Sequence, residues 1–230
     1  MAAEEHLFGA ASPRRVPITL THVQYDEGDM LGMVLAWFSL LPIFILVGFV
    51  TLITFRRDLH TCCFLAGIVA NEGINFVLKH VIKAPRPSNT IYTHSLFVEY
   101  GMPSSHAQFM SCFATYLVLF FFIRAKLSYL WKGLLSCLVI AAMVMVFISR
   151  VYLGYHTYVQ MLCGVVAGAV FALLWFAVVH LGLSPLFPHI SSWKIAEHLL
   201  LRDMSLIPNV LWYEYTAIRM ETRSRMRKAQ

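Results

Sequence analysis

The sequence predicts an all-α, polytopic membrane helix bundle with about five transmembrane helices. Three observations point to it. Of the 230 residues, 59% are hydrophobic and 13% are charged, whereas soluble domains carry about a quarter charged residues. The charges are clustered and leave long apolar stretches almost free of them. Each stretch is close to the ~20 residues that a helix needs to cross a hydrocarbon core.

The stretches lie near 31–54, 61–78, 107–123, 131–148 and 158–182. Pro42 is expected to kink the first, which membrane helices tolerate. The second carries Asn71, Glu72 and Asn75. An acid at membrane depth is expected to face the bundle interior or a cavity. Asn71 and Asn75 are four apart and share a helical face, which suits either interhelical hydrogen bonding or support of a polar site. In the fifth, Gly164 and Gly168 form a G-x-x-x-G that predicts close packing within the chain.

Residues 1–29 begin Met1-Ala2-Ala3-Glu4-Glu5, hold no signal-peptide core and read as an N-terminal segment. Residues 183–230 read as a basic, partly amphipathic tail, broken by Pro185, Pro188 and Pro208. Within it Leu211, Trp212, Tyr215 and Ile218 recur at helical spacing and arginines follow, which predicts an interfacial helix over 211–228. No domain boundary appears, so 1–230 reads as one membrane-embedded unit. Cys62, Cys63, Cys112, Cys137 and Cys163 all fall in apolar stretches without metal-ligand spacing, and read as small buried residues. The net charge of +6 owes much to Arg219–Lys228, which suits anionic headgroups rather than nucleic acid.

With five spans, the N-terminal segment and the 79–106 and 149–157 loops share one side. That side carries six of the eighteen Lys and Arg residues: Arg14, Arg15, Lys79, Lys83, Arg86 and Arg150. The richer side, which includes the tail, is predicted to be cytosolic, and the loops lumenal or exterior.

Polar chemistry concentrates on those loops. Lys79 closes the second span, and Arg86 follows in a stiff Pro85-Arg86-Pro87. Pro103-Ser104-Ser105-His106 opens the third span as a helix cap, and a helix N-terminus also binds phosphate. Arg150 ends the fourth span and His156 precedes the fifth. An arginine fork matches phosphate oxygens.

Taken together, Lys79-x6-Arg86-Pro87, Pro103-Ser104-Ser105-His106 and Ser149-Arg150-x5-His156 resemble the three-part signature of the type 2 phosphatidic acid phosphatase (PAP2) family. That family shares its site with vanadium haloperoxidases and glucose-6-phosphatase. Within it, "NEGINFVLKHVIKAPRP", "YGMPSSHAQFM", "SRVYLGYHTYVQ" and "SLIPNVLWYEYT" look like the dolichyldiphosphatase branch. The resemblance implies a PAP2/haloperoxidase-like core in the endoplasmic reticulum membrane, with its site facing the lumen. It implies hydrolysis of dolichyl diphosphate, or a similar polyisoprenoid lipid, to the monophosphate, which recycles the carrier of protein N-glycosylation. By the same resemblance His156 is the nucleophile, forming a phosphohistidine, and His106 the acid and base. Lys79, Arg86 and Arg150 neutralise phosphoryl oxygens, and Ser104 and Ser105 add hydrogen bonds. No metal or other cofactor is expected, because three cations and a helix dipole supply the positive charge.

The chain departs from the family pattern in three places. It has five apparent spans where many relatives have six. Ser105 replaces a usual glycine. Gln160 stands where an acid normally orients the nucleophile, and can accept the same hydrogen bond without a full charge. Two alternatives compete: a phosphatase of broader lipid phosphates, and a non-catalytic scaffold or transporter with a degenerate site. Glu72 mildly favours the second, and the complete set Lys79, Arg86, His106, Arg150 and His156 opposes it.

Overall fold

The computed structural model describes residues 15–18, 23–87, 100–204, 207 and 210–228. It opens with an antiparallel hairpin, β1 (Arg15–Ile18) and β2 (Val23–Asp26), in which Arg15 pairs with Asp26 and Ile18 with Val23. The sequence reading left residues 1–29 without an element; 1–14 and 19–22 of that segment lie outside the described residues.

Among the described residues, five helical segments are long and apolar enough to cross a membrane: Met30–Arg56, Leu59–Ile82, Ser105–Arg124, Tyr129–Tyr152 and Tyr158–Ser191. The first is two helices, α1 (Met30–Phe38) and α2 (Leu41–Arg56). Pro42 sits in the first turn of α2, where its missing N–H is no loss, so the expected kink is a full break. The break is held from outside. The Ser39 hydroxyl bonds that of Ser149, which donates to the Leu35 carbonyl at 2.7 Å.

Helix α3 (Leu59–Ile82) is capped by Asp58 and ends where Lys83 turns left-handed. Helix α4 (Ser105–Leu119) continues through a π-turn to Arg124. After α5 (Tyr129–Tyr152), helix α6 (Tyr158–Ala177) passes through a π-turn and a 3₁₀ turn into α7 (Phe187–Ser191). Short α8 (Lys194–His198) and amphipathic α9 (Val210–Lys228) complete the chain.

The stretch after 182 is therefore not a free tail at its start. Pro185 and Pro188 each occupy the first turn of a short helix, where a missing N–H is tolerated. Phe187 is buried against Leu59 and Val179. Backbone bonds from Leu59 N–H to Arg202 and from Arg202 N–H to Arg57 lace the segment beneath α3. The helix expected over 211–228 forms as α9, tied to α2 by an Arg56–Glu214 ion pair at 2.8 Å.

Helices α4 and α6 form the centre, and Gly164 and Gly168 explain how closely they pack. A Cβ at Gly164 would come within 2.7 Å of the Ser104 carbonyl oxygen, and one at Gly168 would overlap that of Gln108. The G-x-x-x-G thus packs within the chain, as expected. On the other side of α4, Gln108 donates to Asn71 Oδ1 at 3.0 Å and accepts from Asn75 Nδ2 at 2.8 Å. Both asparagines are spent on an interhelical amide network, which also reaches the Pro103 carbonyl at 3.4 Å. Beneath it Phe49, Phe64, Phe113 and Tyr116 pack as a stacked and edge-on aromatic cluster.

Overpacking a close helix contact costs about 1–3 kcal/mol. Gly168→Ala is expected to lower the melting temperature in detergent by several degrees. Gly48→Ala, whose added methyl meets open space, is expected to leave it unchanged; equal effects would count against the α4–α6 contact.

Candidate active site

Spans alternate in direction, so the C-terminal ends of α3 and α5 and the N-terminal ends of α4 and α6 meet at one end of the bundle. Lys79 lies in the last turn of α3, largely buried. The chain then leaves through Pro85-Arg86-Pro87. It returns at Gly101, whose N–H donates to the Ala84 carbonyl at 2.8 Å; residues 88–99 lie outside the described residues. Gly101 is required by close approach. A Cβ there would stand 2.8 Å from Gln160 Nε2 and 3.0 Å from the Arg86 side chain.

Ser104 is the N-cap of α4 and fully buried. Its hydroxyl accepts from Ala107 N–H at 3.5 Å, and its own N–H donates to the Gln160 carbonyl at 3.1 Å. The cap is thus stitched to α6, while its hydroxyl hydrogen is still able to donate. Ser105 and His106 form the first turn of α4, whose N–H groups lack helical acceptors and whose dipole end is positive. His106 and Ser105 also stand in the wall of a mostly apolar pocket of about 290 Å³, lined further by Pro42, Leu46, Ile68, Val69 and Phe109, with the Glu72 carboxyl as its acidic member.

Arg150 and His156 are held by a single turn. The N–H groups of Tyr155 and His156 both donate to the Arg150 carbonyl, at 3.0 and 3.3 Å, and Gly154 supplies the positive φ that the turn requires. Both side chains are buried. Lys79, Arg86, Arg150 and His156 all lie within electrostatic range of His106. The structure therefore brings Lys79, Arg86, Ser104, Ser105, His106, Arg150 and His156 to one end of the bundle.

Gln160 joins the pieces. Its Oε1 accepts from Thr157 N–H at 3.2 Å and faces His156 Nδ1 at 3.3 Å, while its Nε2 donates to the Pro85 carbonyl at 2.8 Å. These partners fix the amide orientation. They also fix the imidazole: with Oε1 as acceptor, Nδ1 of His156 carries the hydrogen and Nε2 keeps a free lone pair. The Thr157–Gln160 capping box behind this geometry was missed in the sequence reading. Its signal is present there as Thr-x-x-Gln at the start of an apolar run. The part played by Gln108 had no such signal.

Burial holds the His156 imidazole well below its ordinary 6.5, at about 3, and the charges of Arg150 and Arg86 push the same way against the Gln160 hydrogen bond. The neutral form is thus favoured in the folded state. Its stabilising contribution is complete above 6.5 and lost as pH falls toward 3. Imidazole ¹⁵N spectra in detergent are expected to show His156, identified by its loss in His156→Gln, neutral from pH 5 to 8. A titration near 6.5 would contradict this environment.

Comparison with known proteins agrees with this geometry. The PAP2 superfamily model matches residues 60–182, which span all three polar segments. "Dolichyldiphosphatase 1" of Rhinolophus ferrumequinum is 50% identical, with 99% of this chain and 98% of that protein covered. "Lipid phosphate phosphatase gamma" of Arabidopsis thaliana is 40% identical, covering 86% and 88%. Among solved structures, a transmembrane PAP2-type phosphatidylglycerolphosphate phosphatase from Bacillus subtilis superposes with a TM-score of 0.58 at 22% identity, covering 67% of this chain and 79% of that one. A bundle of this topology, carrying the three polar segments at one end and matching the family model over more than half its length, belongs to the PAP2 superfamily.

Proposed function

We propose that this chain, acting as a single membrane-embedded unit, hydrolyses dolichyl diphosphate to dolichyl phosphate and inorganic phosphate. The observation that carries the chemistry is the Gln160-fixed tautomer of His156, which leaves Nε2 free beside three cations. Near full-length identity to a dolichyldiphosphatase supports the substrate.

In the first step His156 Nε2 attacks the terminal phosphorus in line. A P–N bond forms, and the bond from phosphorus to the bridging oxygen breaks. His106, protonated once the bound diphosphate offsets the surrounding cations, gives its proton to the leaving dolichyl phosphate. In the second step His106 takes a proton from water, which attacks the phosphohistidine; the P–N bond breaks and phosphate leaves. Lys79, Arg86, Arg150, the Ser104 hydroxyl and the first N–H groups of α4 stabilise the phosphoryl oxygens, each good donor being worth about 2.7–4 kcal/mol. The apolar pocket beside His106 suits the first part of a lipid tail. The five apolar helices support a multi-pass protein, its dolichyldiphosphatase relatives an endoplasmic reticulum membrane where it would recycle the carrier of N-glycosylation, and the Lys/Arg asymmetry an orientation with this site facing the lumen. The named lipid phosphate phosphatase among its relatives favours, as a second reading, activity on broader lipid phosphates.

Phosphate release from dolichyl diphosphate, measured with EDTA present, is expected to fall by at least ~1,000-fold in His156→Ala. In sealed microsomes it is expected to stay latent until detergent opens them. Full activity of His156→Ala would end the catalytic reading, non-latent activity the lumenal one, and preference for phosphatidate over dolichyl diphosphate the choice of substrate.

Gln160 lacks the full charge of an acid, which a good leaving group makes tolerable. Gln160→Glu adds that charge but removes the donor to Pro85. It is expected to change kcat/KM on lipid monophosphates more than on diphosphates, and equal changes would reject this explanation.

A further inference from the structure

Tyr155 is one of the five residues between Arg150 and His156 to which the sequence pattern gives no role. It is buried, and its ring lies 4.0 Å from the Arg150 guanidinium carbon. Its hydroxyl accepts from Gln24 N–H at 2.7 Å and reaches the Gln24 carbonyl at 3.5 Å. Around the ring stand Val23, Ala36, Leu40 and Leu153. The phenol therefore has one face on the guanidinium, its edge in an apolar cluster and its tip tied to β2.

This arrangement answers a physical problem. Arginine has a long, rotamer-rich side chain, and a phosphate site needs its fork held in one orientation before substrate arrives. A ring face does this without neutralising the charge, because the attraction is to the ring quadrupole.

We propose that Tyr155 is a positioning residue for the phosphate site: its ring face orients the Arg150 guanidinium, and its hydroxyl anchors that support to the β1–β2 hairpin. The inference rests on the reading of Arg150 as a phosphate ligand. It gives the hairpin a part in the site. It also separates the two halves of the tyrosine. The ring acts on Arg150, and the hydroxyl acts on the hairpin.

The test uses full-length protein in detergent, with inorganic phosphate as a competitive probe beside hydrolysis of dolichyl diphosphate. Tyr155→Leu is expected to raise the Ki of phosphate by about 10-fold and to lower kcat/KM in parallel, whereas Tyr155→Phe stays within about 3-fold of wild type. In an Arg150→Lys background, Tyr155→Leu is expected to add little, because the two residues act as one unit. Where the leucine variant does not fold, Tyr155→Met carries the same expectation. An unchanged Ki in the ring-less variants, equal losses in the Phe and Leu variants, or a full additional loss in the Arg150→Lys background would each overturn the proposal. A wild-type protein that neither hydrolyses the lipid nor responds to phosphate would instead remove the phosphatase reading on which it rests.

Discussion

Everything at the polar end of the bundle depends on how closely α4 and α6 approach. Gly164 and Gly168 let the α6 backbone lie against the Ser104 and Gln108 carbonyls. With the helices that close, Ser104 N–H reaches the Gln160 carbonyl, and the N-termini of two helices running in the same direction stand side by side. Their positive dipole ends, with Lys79, Arg86 and Arg150, make a site with a large excess of positive charge. Such an arrangement costs free energy when empty. It persists because the helices are held by packing and amide bonding lower in the bundle, and a phosphate dianion is the kind of ligand that relieves it.

Gln160 shows why an amide serves where an acid is usual. A carboxylate accepts but does not donate at neutral pH. The amide does both, taking hydrogen from Thr157 and facing His156 on one side while giving hydrogen to the Pro85 carbonyl on the other. The first and third polar segments are thereby joined through one side chain. In the proposed reaction the lost negative charge is acceptable because the departing group is already a stabilised phosphate. The arrangement trades charge on the partner of His156 for rigidity across the site.

The same economy is visible around the first span. It is broken at Ser39 and Leu40, and Ser149 braces the break by bonding the Ser39 hydroxyl and donating to the Leu35 carbonyl. Ser149 is the neighbour of Arg150, so the brace on one helix comes from the helix end that carries a cation of the proposed phosphate site. Tyr155 makes the corresponding connection to β2. The proposed phosphate site is thus braced by the N-terminal part of the chain, although its candidate ligands all come from later segments.

Much of this was legible in the residues. Hydropathy alone located five spans, because a bilayer demands a near-fixed length of apolar helix whatever the helix packs against. The order and spacing of Lys79, Arg86, His106, Arg150 and His156 marked the candidate site, since Lys79, His106, Arg150 and His156 stand at or beside span ends and Arg86 in the loop that follows α3. Local rules also found the Ser104 cap and the α9 helix. What the sequence did not determine were the relations between distant segments: the amide network of Asn71, Gln108 and Asn75, the packing of Phe187 under α3, the tie from Gln160 to Pro85, and the seat of Arg150 on Tyr155. The reason is physical. Spans and caps are set by interactions within a few residues, which composition and spacing record. The orientation of a guanidinium or the tautomer of an imidazole is set by partners far along the chain, and only the tertiary structure decides which of them come within hydrogen-bonding reach.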